Sequence, residues 1–303
     1  MQANPQNNVN GLSVLYGLLQ AWVYRLGRPV RDALLYSSAY LAFIAAGEVL
    51  IVTELLSLPL SPAPLVAALL TFAVYGNDRL ADVEADEKTS PARAAFVRRN
   101  QDLLYSLSAV AYGLGVALAV LGGPVAFAMA FLPGVVWLCY ASDLFPDGAR
   151  LRPLKRVLIL NSTLVAAVWA VGMTFLPIVF VGAPIPASAP IIYLFFFGTA
   201  FANVEIPNVG DRGGDREAGV ETLPVVFGVD GTRKALYGLL ALLAAIVGVG
   251  FGAGVLGLET TAGLSVSLLC LLTVVTCLGR IRNDILTVAA ECSRLPILVI
   301  WLL

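Results

Sequence analysis

Residues 74–91 read VYGNDRLADVEADEKTSP, which sets Asp78, Asp82 and Asp86 at the end of an apolar run. The chain around them is 59% hydrophobic and 13% charged over 303 residues, and its mean hydropathy is +0.86. That composition lies far outside soluble globular proteins and predicts a polytopic membrane protein. On a helix each four-residue step rotates by about 40°, so the three carboxylates form one slowly winding stripe. An Asp at the centre of a span costs roughly 2.5 to 3.5 kcal/mol. Near a helix end the charge is tolerated when a cation or a polar cavity receives it.

A membrane helix needs about 20 predominantly apolar residues. Working outward, such runs fall near 34–56, 63–83, 103–121, 124–141, 155–177, 187–206, 234–255, 261–279 and 285–303. Pro- and Gly-containing clusters such as SLPLSPAP, LGGP and VGAPIPASAP separate them. The predicted fold is all-α, with nine transmembrane helices bundled around a central apolar cavity that has a polar mouth on the cytoplasmic side. One domain is expected over residues 1–303, its motif helices lying near 63–90 and 187–216. Residues 1–33 form an interfacial segment, in which Leu12 to Tyr24 reads as an amphipathic helix ending at Arg25, Arg28 and Arg31. The opening MQANPQNNVNG lacks the basic region of a signal peptide.

With a cytoplasmic amino terminus, the segments after the second, fourth, sixth and eighth runs carry Lys88, Arg93, Arg98, Arg99, Arg150, Arg152, Lys155, Arg156, Arg212, Arg216, Arg233, Lys234, Arg280 and Arg282. The opposite loops hold no Lys or Arg. This asymmetry fixes a multi-pass orientation in the cell membrane by the positive-inside rule. Arg294 falls inside a span, where Glu291 three residues earlier can pair with it. Glu48 also lies deep and is expected to line a pocket or contact a substrate.

A net charge of −1 implies no nucleic-acid partner. The chain has no histidine, which removes the commonest general base and histidine-based metal sites. Cys139, Cys270, Cys277 and Cys292 sit in apolar runs without metal-ligand spacing and read as small buried hydrophobes.

The acidic pattern recurs. Residues 201–228, FANVEIPNVGDRGGDREAGVETLPVVFG, carry Asn208, Asp211 and Asp215, with Glu205 one turn earlier. The second and sixth runs point toward the same membrane face, so the two clusters can converge. Pro207 and Gly210, Gly213 and Gly214 are expected to loosen the helix there, as is permitted where backbone lines a cavity. Facing like charges need a bridging cation. Mg²⁺ suits them, because it takes a few carboxylates and completes its shell with water and substrate phosphates. The clusters therefore predict a diphosphate substrate between two helix ends.

YGNDRLADVEAD and NVGDRGGDREAGVETLP resemble the two Asp-rich motifs of the UbiA superfamily of intramembrane prenyltransferases, and the nine-helix pattern is similar to that family along nearly the whole chain, from Arg28-Pro29 onward. The run from Gly214 to Val225 is the most specific piece. The family's first motif usually reads NDxxDxxxD, whereas Asn77-Asp78 is followed here by Asp82 and Asp86, with Arg79 between. In the second motif Asn208 stands where Asp is frequent, which lowers the charge of that half-site.

The resemblance implies a pair of Mg²⁺ ions held by Asp78, Asp82, Asp86, Asn208, Asp211 and Asp215. Asp82 and Asp211 would be catalytic, with Asn77, Asn208 and Arg216 binding substrate. Between the fourth and fifth runs, Lys155 and Tyr140 match the family's Lys and Tyr and would also be catalytic. Arg152 and Arg156 lie beside them, where a departing diphosphate needs cations. The implied reaction ionises a polyprenyl diphosphate and transfers the prenyl group to a small lipophilic or aromatic acceptor in a dry chamber within membrane lipid. Asn161, Ser162 and Asn203 are polar positions that can line the acceptor pocket.

Two other readings compete. A cation transporter would use Glu48, Asp82 and Asp211 as ligands along a path. A CDP-alcohol phosphotransferase is suggested faintly by Asp143-x-x-x-Asp147-Gly-Ala-Arg150, but the spacing before the Arg is short by two and the downstream acidic motif is absent.

Overall fold

Apolar runs too long for turns and too oily for a soluble surface fold into helix after helix. The structure, a computed structural model, describes residue 27, residues 29–141 and residues 160–302, and among these there is no strand. Leu12 to Tyr24, Arg25 and Arg28 therefore lie outside the described residues, as do Arg150, Arg152, Lys155 and Arg156.

The chain starts with α1 (Pro29–Tyr36) and α2 (Ala39–Leu55), which meet at 71°. Ser37 and Ser38 make that bend. The Ser37 hydroxyl donates to the Ala33 carbonyl at 2.6 Å and Ser38 sits in the left-handed region at φ 60°, the kind of local competition with helix that serine hydroxyls offer. Next come α3 (Ala63–Ala81), α4 (Val83–Thr89) and α5 (Pro91–Arg99), then α6 (Gln101–Ala119) and α7 (Gly123–Ala141).

Gln101–Val135 is one 35-residue helical stretch in hydropathy terms, yet the rings of Tyr112 and Phe131 lie 6.5 Å apart. Nineteen residues of straight helix would separate them by about 28 Å. The chain therefore folds back on itself, and it does so at Gly123, whose φ of 84° only glycine adopts without cost.

The second half comprises α8 (Leu160–Phe180), α9 (Ala189–Ala218), α10 (Leu223–Gly252) and α11 (Leu258–Thr276). It closes with α12 (Asn283–Glu291), a 3-10 turn over Cys292–Arg294 and α13 (Pro296–Leu302). Five helical stretches among the described residues are long and apolar enough to cross a membrane, or six if the bent pair α1 and α2 counts as one. The final expected span is instead broken at Cys292–Arg294, where the buried Arg294 meets Glu48. Interior faces of α2, α3, α8, α9, α10 and α11 supply most of the buried core, and α9 is the most enclosed of the five long stretches.

Two expectations about the motif helices change. The first acidic stripe does not ride on one continuous helix: α3 stops at Ala81 and α4 restarts at Val83, although Asp82 N–H still donates to Asp78 O and Asp86 N–H to Asp82 O, both at 2.9 Å. The second motif, by contrast, is not loosened. Helix α9 runs unbroken through Pro207, Gly210, Gly213 and Gly214. Packing by α12 holds it, with Asn283 Nδ2 donating to the Pro207 carbonyl at 3.1 Å. A Cβ at Gly210 would come within 2.6 Å of that amide nitrogen, so glycine there permits close approach.

Candidate active site

Helix α9 ends in a Schellman arrangement. Gly219 is left-handed at φ 68°, Val220 N–H donates to Asp215 O at 2.8 Å and Gly219 N–H to Arg216 O at 3.3 Å. The chain then turns directly into α10, whose first residues dock on α9. Thr222 donates to Asp215 Oδ2 at 3.4 Å, and Arg216 reaches forward to the Val225 carbonyl at 3.4 Å. This explains physically why the run from Gly214 to Val225 forms one unit.

Deeper on α9, Glu205 is fully buried. Its carboxylate accepts from Ser162 Oγ at 2.5 Å, from Leu223 N–H at 3.2 Å and from Asn208 Nδ2 at 3.5 Å. Asn at position 208 thus has a local reason: it donates to Glu205, whereas an ionised Asp there would face a second carboxylate.

On the other side, α4 packs against α9 and the first acidic stripe approaches the second. Asp86 is 6% exposed and is gripped from both sides by Arg93 of α5, with Nε donating to Oδ2 at 2.6 Å and Nη2 donating to Oδ1. Burial opposes the Arg93 charge, but the Asp86 contact with the nearby Asp211 and Asp82 outweighs it, and the guanidinium is held above its ordinary range. Asp211 in turn feels Arg93, Asp86, Arg79 and Asp82. Arg79 Nε donates to Ser38 Oγ at 2.9 Å, which ties the end of α3 to the bend between α1 and α2. The structure therefore brings Asp78, Asp82, Asp86 and Asp211 into one electrostatic neighbourhood, with Asp215 beside Asp211.

Other expected residues stand differently. Asn77 turns its amide back to Ala73 O of its own helix at 2.8 Å. Arg216 is exposed and occupied with backbone. Tyr140 belongs to α7, but its side chain lies outside the described residues, as do Arg152, Lys155 and Arg156. Arg93 is the residue that sequence reading undervalued as a topological charge. Its partner is seven positions away across the break at Ser90-Pro91, and no pattern announces such a pair.

Among the described residues no three carboxylates are close enough to chelate a single ion. The donor set nevertheless fits Mg²⁺: it consists of oxygens alone, and Mg²⁺ ordinarily takes one or two carboxylates with water and substrate phosphates. Arg93 stands among Asp82, Asp86 and Asp211 as the positive charge that such an arrangement requires.

A small cavity of about 20 Å³ is lined by Tyr75, Val165, Ala166, Trp169, Ala200, Asn203, Val204, Glu291 and Arg294. Arg294 is 1% exposed and Glu48 is fully buried. Arg294 Nε donates to Glu48 Oε1 at 2.6 Å and Nη1 to Thr199 Oγ1 at 3.1 Å, while Trp169 Nε1 donates to Glu48 Oε2 at 2.6 Å. The expected Glu291–Arg294 pair is present but looser, at 3.8 Å. Glu48 does not line the cavity. It is ion-paired with Arg294 instead, which corrects the expectation that it lines the pocket.

Among the described residues, helices long and apolar enough to cross a membrane and no strands define an all-helical membrane-protein class. The UbiA prenyltransferase family matches residues 13–289, and the chain belongs to that family. Solved structures agree in fold. A UbiA homologue from Aeropyrum pernix K1 is 18% identical, with a TM-score of 0.63 over 90% of this chain and 98% of that one. A UbiA homologue from Archaeoglobus fulgidus, solved bound to GPP and Mg²⁺, is 16% identical, with a TM-score of 0.65 over 89% of this chain and 98% of that one. The same homologue has been solved with DMAPP and Mg²⁺, at 16% identity and a TM-score of 0.62 over 89% and 98%. No curated protein matches the chain. The protein is accordingly an intramembrane prenyltransferase by family.

Proposed function

We propose that the protein binds an allylic polyprenyl diphosphate at the meeting point of α3, α4 and α9 and transfers the prenyl group to a small lipophilic or aromatic acceptor. The observation that best supports this is the packing of α4, with Asp86 held by Arg93, against α9, which carries Asp211 and Asp215. In our reading Asp78, Asp82, Asp86, Asn208, Asp211 and Asp215 hold two Mg²⁺ ions. When bound, the metal neutralises the diphosphate charge and so favours departure of the leaving group.

Asp82 and Asp211 position the diphosphate from opposite helices. We assign Asn77, Arg152, Arg156 and Arg216 to substrate binding, which for Asn77 and Arg216 means exchanging their backbone-carbonyl partners for diphosphate oxygens, and Lys155 and Tyr140 to catalysis. Apolar walls on α8 and α9 keep water from the allylic cation, which the acceptor then captures. The mouth opens on the cytoplasmic side of the cell membrane, and the polypeptide crosses nine times. Geranyl diphosphate and dimethylallyl diphosphate, the ligands of the Archaeoglobus fulgidus homologue, are the first donors to test.

The test is diphosphate release by purified protein in lipid, given a panel of prenyl diphosphates and acceptors. Release should need Mg²⁺, stop on chelation, and fall at least about a hundredfold in Asp82→Ala and in Asp211→Ala, as expected when a charge-stabilising group is lost. Metal-independent cation flux without release would overturn the reading.

A further inference from the structure

Glu205 is a carboxylate that the acidic mouth does not account for. It is fully buried on α9, yet every donor it meets among the described residues is neutral. Ser162 Oγ of α8 donates to Oε1 at 2.5 Å, while Leu223 N–H at 3.2 Å and Asn208 Nδ2 at 3.5 Å share Oε2. A buried carboxylate with no cation beside it is costly to keep. These donors come from three helices, α8, α9 and α10, so they hold the carboxylate at one place and leave Asn208 to be set against it.

Asn208 stands between Glu205 and Asp211, three residues from each, and positions three apart on a helix are neighbours. Exposure rises along them, from buried Glu205 through half-buried Asn208 to exposed Asp211. The amide of Asn208 carries its oxygen and its nitrogen on opposite branches. With Nδ2 donating to Glu205 Oε2, Oδ1 is the branch left to meet a cation, whereas the reversed amide would set two oxygens against each other. The same Oε2 holds Leu223 N–H, the first residue of α10, and the neighbouring Thr222 donates to Asp215 Oδ2 at 3.4 Å. Glu205 therefore reaches both ends of the second acidic segment, Asn208 directly and Asp215 through the docking of α10.

We propose that Glu205 is a positioning residue for the second metal half-site: it fixes the Asn208 amide so that Oδ1 faces a divalent cation. The inference rests on the metal-dependent reading of the mouth and adds to it a residue beneath the ligands. Partners that orient a ligand from behind usually change metal affinity by about 10- to 100-fold when they are lost.

The experiment needs neither a prenyl diphosphate nor turnover. Full-length protein in detergent is titrated with Mn²⁺, and the free ion is read by electron paramagnetic resonance. Glu205→Gln should bind Mn²⁺ about tenfold more weakly than the unaltered protein. Gly198→Ala, which crowds Leu243 elsewhere on α9, should lower the unfolding midpoint and leave Mn²⁺ affinity unchanged. A double-mutant cycle with Asn208→Ala separates positioning from bulk charge, because Asn208→Ala alone should show a similar loss and Glu205→Gln should add little to it. Equal losses from Glu205→Gln with and without Asn208 would reduce its effect to charge at a distance and overturn the proposal, as would an equal loss in Gly198→Ala. If Glu205→Gln does not fold, unchanged Mn²⁺ affinity in Asn208→Ala still overturns it. Failure of the unaltered protein to bind Mn²⁺ removes the metal reading of the mouth and this inference with it, whereas binding that Glu205→Gln leaves intact removes this inference alone.

Discussion

Arg294 and Glu48 are 246 positions apart and meet with almost no exposure. Replacing one member of a buried pair strands the other, and such changes cost about 3 to 5 kcal/mol, whereas exchanging both for apolar residues of similar volume is often neutral or better. Glu48→Gln is therefore expected to lower the thermal unfolding midpoint sharply in detergent. The double change Glu48→Leu with Arg294→Leu should recover most of the loss. An unchanged midpoint in Glu48→Gln would show that the pair contributes little. This is the point at which the sequence was least informative. Deep charges at Glu48, Glu291 and Arg294 stood out against the apolar background, but periodicity reports only neighbours three or four positions apart, so it favoured Glu291 as the partner of Arg294. The tighter contact is across the bundle, and hydropathy holds no record of it.

At the level of helices, the acidic stripes and apolar runs placed the elements well, because membrane helices announce themselves by length and oiliness. What hydropathy missed was how closely they approach. Gly198 on α9 faces the buried Leu243 of α10, and a Cβ there would lie 2.8 Å from both of its methyl carbons. Overpacking of this kind costs about 1 to 3 kcal/mol, more than the gain of up to about 1 kcal/mol that alanine offers over glycine in a helix. Gly198→Ala should thus be destabilising. Adding Leu243→Ala should cost less in that background than it does alone, and a double-mutant cycle of unfolding midpoints measures the difference. Simple additivity would contradict the packing. Pro207 teaches the opposite lesson: a proline and three glycines read as a loosened helix, but contact with Asn283 keeps α9 whole.

Across the whole molecule, the sequence sets its Lys and Arg residues in alternate connecting segments, and the orientation expected from them rests on local charge beside each span. In a cysteine-free background, Ala92→Cys in α5 should react with an impermeant maleimide only after the membrane is opened. Ala187→Cys, on the opposite side, should react in intact cells. Reversed labelling would invert the orientation and put the acidic mouth on the other face. The convergence of the two Asp-rich segments was foreseen from their common direction, while the arginine between them was not, since only the turn at Ser90 brings Arg93 back over Asp86.

The contact between α2 and the broken last segment also bears on how the protein is made. An arginine at the centre of a membrane span costs roughly 2.5 to 3.5 kcal/mol, and the acid that matches Arg294 resides on α2, synthesised long before. The late segment gains its partner only when the earlier bundle is already assembled and waiting. Seating of the buried arginine and docking of the late segment are in that sense a single event.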